Sequence, residues 1–147
     1  MNEAATLNAT ARVRQLLDLT TRLTARLSEE SKAFESRRPQ DVAATMAATQ
    51  EMANVYRRDS AQLKANPASV ASASPADRAA LIRATEAFEA VLSRHGRAVE
   101  AARIVSEGLV RTIAAEMAGQ RGSPSAYGAS GKATAGDGRA VAFNRKA

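Results

Sequence analysis

The sequence predicts an all-α protein: an elongated antiparallel three-helix bundle, coiled-coil-like, with a disordered C-terminal tail. Three observations predict it. Apolar side chains alternate four and three apart in three separate stretches, the spacing that draws one stripe down an α-helix. Alanine supplies much of the 45% hydrophobic content while aromatics make up only 3%, a composition that favours helix and builds thin cores. Prolines stand at 39, 67, 75 and 124, at the edges of these stretches and never inside one.

The first helix spans 3–36. Val13, Leu16, Thr20, Leu23, Leu27 and Phe34 hold the alternating spacing, with Glu30 the one charged interruption, and Leu17 and Leu19 widen the apolar surface. Arg12, Arg14, Arg22, Arg26, Glu29 and Lys32 lie mostly off that seam, as a solvated face should. Arg37-Arg38-Pro39 ends the helix, because the residue before proline is pushed out of helical geometry. A second helix over 40–65 carries a thinner stripe of Val42, Met46, Thr49, Met52, Ala53, Tyr56 and Leu63. So short a connection requires antiparallel neighbours. Asn66-Pro67 stops it, and residues 67–74 read as a small-residue linker.

The third helix opens at Ser74-Pro75-Ala76-Asp77. Ser74 can cap free N–H groups, Pro75 suits the first turn and Asp77 suits the positive end of the dipole. Its stripe runs Leu81, Thr85, Phe88, Leu92, His95, Val99, Ala102, Leu109 and Ile113, with a polar step at Ser106. Gly119, Gly122 and Pro124 are expected to end it near 118. Residues 1–118 then form the helical domain, and 119–147, rich in Gly, Ala and Ser, a tail too poor in apolar groups to fold.

At about 1.5 Å per residue the three rods measure roughly 50, 39 and 66 Å. Packed up, down and up, the first two leave the third without a companion from about Gly108 onward. Leu109, Val110, Ile113 and Met117 share one face of that overhang, and Ile104 points nearly opposite the main stripe. Burying such a side chain is worth about 1.5–3 kcal/mol, so an uncovered stripe marks a partner site. The alternatives are a break at Gly96 or Gly108, or pairing with a second copy as a homodimer.

Chemistry is nearly absent. With one histidine and no cysteine, the chain can form no His/Cys metal cluster and no disulfide. His95 reads as a seam histidine, since no acid is paired with it by spacing. Glu86 and Glu89 look solvated, Met46 and Met52 read as packing, and no phosphate-binding loop is present. The reading is therefore not an enzyme, with no cofactor and no metal. Of the net charge of +6, the segment after Ala118 holds +4, leaving the body at +2. That balance argues against a nucleic-acid fold. No apolar run is long enough for membrane insertion, and the first residues lack signal-peptide character, which fits a cytoplasmic protein. Tyr127, the one aromatic among the glycines and serines of 119–131, either docks on a partner or floats.

These residues together resemble the FlgN-type flagellar export chaperone family, in its FlbY-like branch. The likeness rests on Leu16-Leu17 through Leu27 followed by Ser28-Glu29-Glu30, and on Met52-Ala53-Asn54-Val55-Tyr56 near the end of the second helix. The long third helix and Ser125-Ala126-Tyr127-Gly128-Ala129-Ser130-Gly131 complete it. The resemblance implies a cytoplasmic chaperone for hook-associated flagellar subunits, the hook–filament junction proteins. It implies that Leu109, Val110, Ile113 and Met117 face the cargo's amphipathic terminal helix, and that Tyr127 contacts the export gate. The chain is basic where acidic members of the family are common.

Overall fold

The computed structural model describes residues 2–127, with side chains through Arg121. The expected disorder of the tail, and the contact expected of the Tyr127 side chain, lie outside the described residues. Helices α1 (Glu3–Glu35), α2 (Met46–Ala65) and α3 (Pro75–Tyr127) make up the fold. No strand occurs among the described residues. The chain divides into two units, Met1–Ala102 and Arg103–Ala147.

In the first unit the helices run up, down and up. Leu23 and Leu27 of α1 meet Phe88 of α3, with Met52, Ala53 and Tyr56 of α2 and Val91 of α3 packed around them. Toward the other end Ala9 and Val13 meet Ala73, backed by Val70 and Leu81. Arg14 reaches Asp77 at 3.4 Å while Glu35 reaches Arg94 at 2.7 Å, which fixes α1 and α3 as parallel. Polar residues on the seam are tolerated because their hydroxyls are satisfied locally. Thr20 donates to the Leu16 carbonyl at 2.7 Å, Ser31 to Leu27 at 2.7 Å and Thr49 to Thr45 at 3.1 Å, so burying them strands no polar group.

The ends of the helices show what the sequence did and did not say. Ser74 Oγ accepts from the Asp77 N–H at 3.0 Å, the cap its position predicts. Helix α1 ends in a Schellman turn: the Arg38 N–H donates to the Ala33 carbonyl and the Arg37 N–H to Phe34. Arg37 takes the left-handed conformation, φ 59°, so it is this turn that reverses the chain, with Pro39 following it. The second helix starts later than expected. Two 3₁₀ turns, Pro39–Asp41 and Ala43–Thr45, precede α2 and turn Val42 into the core. The stretch after α2 is also more than a linker, since Ala73 is buried and closes one end of the core.

Helix α3 passes through Gly96 and Gly108 without interruption and runs past 118 to Tyr127. None of the described glycines has positive φ. Glycine ends a helix by adopting the left-handed cap; within a helix it costs only about 1 kcal/mol relative to alanine. The stripe is also less covered than its spacing suggests, with Leu92, Val99 and Met46 exposed.

Replacing Leu23, which is fully buried beside Phe88, with alanine should lower unfolding free energy by about 3 kcal/mol in a denaturant titration. Arg37→Gly should raise it by roughly 0.5–1 kcal/mol, because glycine occupies the left-handed region without the clash of a Cβ.

Candidate partner-binding surface

The second unit is built on the part of α3 that begins at Arg103. Its large apolar side chains stand in solvent: Leu109 is 60% exposed, Val110 65%, Ile113 48% and Met117 48%. At about 100° per residue these four fall within an arc of about 100°, one continuous ridge. Ile104 is also exposed, but the same spacing sets it about half a turn from Ile113 and off the ridge. Val105, which sequence reasoning passed over, is exposed as well, and its place four residues before Leu109 sets it at the ridge's edge.

The helix beneath the ridge is supported by its own side chains. Arg103 pairs with Glu107 at 2.5 Å, and Glu107 reaches Arg111 at 3.7 Å, an i,i+4 ladder on the polar side. Thr112 donates to the Gly108 carbonyl at 3.0 Å, holding the turn at the glycine. Such a ridge has no acid, base or nucleophile set for chemistry. What it offers is an apolar strip on a preformed helix, suited to receiving the apolar face of another helix.

In the first unit a second group of residues departs from its sequence reading. His95, expected to lack an acid partner, has one: its Nε2 lies 2.9 Å from Glu30 Oε2. The charged interruption in the stripe of α1 and the histidine in the stripe of α3 thus meet across the seam. Phe34 sets its edge against the imidazole, with ring centroids 6.3 Å apart at 82°. One residue along, Arg94 grips Glu35 with two hydrogen bonds of 2.8 and 2.7 Å. Those bonds hold the Glu35 carboxyl below its usual range. Partial desolvation opposes the shift, and the charges of Arg94 and Arg97 add to it. The Glu35 contact in turn raises Arg94.

Among the described residues no group of three His, Cys, Asp or Glu side chains could hold a metal ion. Among the described residues no helix is long and apolar enough to cross a membrane. No family profile matches the chain, and no solved structure matches it. A protein of Caulobacter vibrioides described as the flagellar basal-body protein FlbY is 47% identical over 146 residues, covering 97% of this chain and 98% of that protein. The chain belongs to the FlbY family. The likeness to a FlbY-like branch that the sequence carries is thereby borne out. Because the match to FlbY covers nearly the whole of both chains, the ridge of the second unit and the polar group of the first both lie within it.

The depressed Glu35 carboxyl gives a sign to the acid response. A carboxyl whose folded value lies below its unfolded one stabilises the fold above the unfolded value, and that contribution disappears as pH falls through the folded one. Wild type should therefore melt above Glu35→Gln at neutral pH, with the gap closing through the acid carboxylate range. Added salt should shrink the gap at neutral pH, because the pair is half exposed. Melting curves across pH check this.

Proposed function

We propose that the protein is a flagellar type III export chaperone that acts in the cytoplasm on hook-associated subunits. The exposed ridge of Leu109, Val110, Ile113 and Met117 carries the proposal, because apolar side chains on a well-formed helix invite a partner helix. Kinship with a protein described as a flagellar basal-body protein supplies the setting. The cargo is the amphipathic terminal helix of a junction subunit, which would otherwise self-associate. Taken up on the ridge, that helix buries its own stripe together with the chaperone's. Val105, at the ridge's edge near the start of the second unit, is the next side chain a long cargo helix would reach, and Ile104 stands on the opposite side as a separate contact. Tyr127 is the contact to the export gate.

Energetics fit a carrier that must let go. Full burial of each ridge side chain is worth about 1.5–3 kcal/mol, and each is already partly covered by its own helix. Ordering the cargo helix draws on that gain. Moderate affinity is the consequence, and release at the gate becomes feasible.

The test is calorimetric titration of the full chain with a peptide spanning the terminal helix of a hook-associated subunit from the same cell. Ile113→Asp should cut affinity at least about 100-fold, since it sets a carboxylate in an apolar contact, while helicity by circular dichroism stays unchanged. Unchanged affinity would remove the ridge from the site. A self-associating coiled-coil scaffold is the competing reading of the same ridge. It requires a dimer at micromolar concentration in sedimentation, where a chaperone with a vacant ridge stays monomeric.

A further inference from the structure

The cluster of large buried apolar side chains between α1 and α3 ends before the last turns of α1. Phe88 and Val91 are the last large side chains of α3 packed with Leu23 and Leu27. Beyond them, within the first unit, Ala98 is the buried apolar residue of α3 and Leu92 and Val99 are exposed, while α1 contributes buried Ala33 and the edge of Phe34 on the His95 ring. The junction there is carried by consecutive polar residues, Arg94 on Glu35 and His95 on Glu30. One of those contacts is incomplete. Glu30 is almost wholly buried, yet its Oε1 has no hydrogen-bond partner.

A buried carboxylate with one oxygen satisfied and one stranded is a poor source of net stability and a strong source of direction. Desolvating the charge offsets much of what the histidine returns, and the stranded oxygen adds to that cost. The geometry is strict, because a shift of one residue along either helix would carry Glu30 away from His95 and leave both groups without partners in the seam. Regions with few buried apolar contacts are also those that open locally while the rest of a fold stays closed.

We propose that Glu30 and His95, flanked by Glu35 and Arg94, form a latch that sets the α1–α3 register and makes this end of the seam the place where α3 first lifts from α1. The apolar cluster at Leu23, Leu27, Phe88 and Tyr56 stays closed when the latch opens. The latch belongs to the first unit alone and stands whether or not the ridge of the second unit binds cargo.

Native-state hydrogen exchange on the full chain tests it. In wild type, amides 95–101 should exchange at least about tenfold faster than amides 82–90. The double variant Glu30→Leu/His95→Leu replaces the pair by side chains of similar size with no polar atom to strand. It should slow 95–101 by at least about tenfold and raise Tm. Arg94→Gln, which leaves the buried pair in place, should speed exchange at 95–101 and leave 82–90 unchanged. Equal protection of the two segments in wild type would overturn the latch. So would a double variant that melts below wild type or fails to fold, or an Arg94→Gln effect that is absent or spread evenly along α3.

Discussion

The contact of Phe88 with Leu23 and Leu27, with Tyr56 leaning on its ring at a centroid distance of 4.6 Å, is what the first unit depends on. Large side chains of all three helices meet there. In a chain with 3% aromatics, little else is large enough to span three helices. Away from it the core thins to Ala9, Val13 and Ala73 at one end and to a polar junction at the other. A thin core of this kind leaves each helix only partly committed to its neighbours, which suits a protein that gains contacts when a partner arrives.

The second unit extends the same logic on a helix whose apolar side chains find no cover in the described chain. Four of them line up on α3 between Leu109 and Met117 in a helical segment that carries an Arg–Glu ladder on its polar side. The division of labour is clear in physical terms. One unit holds the buried core, and the large apolar side chains of the other stand exposed. Kinship to a protein described as belonging to the flagellar basal body agrees with a role in flagellar assembly, for which the ridge is the proposed means.

Much of this was legible from residue order. Alternating spacing located all three helices, the Ser74 cap located the start of α3, and the ridge followed from comparing helix lengths. Periodicity says which face of a helix is apolar, not which residue on a distant helix will lie opposite. Glu30 and His95, 65 residues apart, therefore looked like an interruption and an isolated histidine. The start of α2 was missed because Val42 kept the stripe's spacing while the backbone took 3₁₀ turns. The end of α3 was missed because Gly119 was given a capping role that depends on positive φ, and the glycine stays helical. Ala73 carries no signal in the sequence, being one alanine among serines, although it is buried against Ala9 and Val13.

Under the proposed function the Leu109–Met117 ridge receives a helix from another protein. The most direct measurement is a methyl-resolved NMR titration of the full chain with the terminal helix of a hook-associated subunit. Docking on the ridge should give saturable shifts at Leu109, Val110, Ile113 and Met117, with Leu23 and Val13 in the core unmoved. Shifts confined to other methyls, or ridge shifts that track the protein's own concentration without cargo, would contradict it.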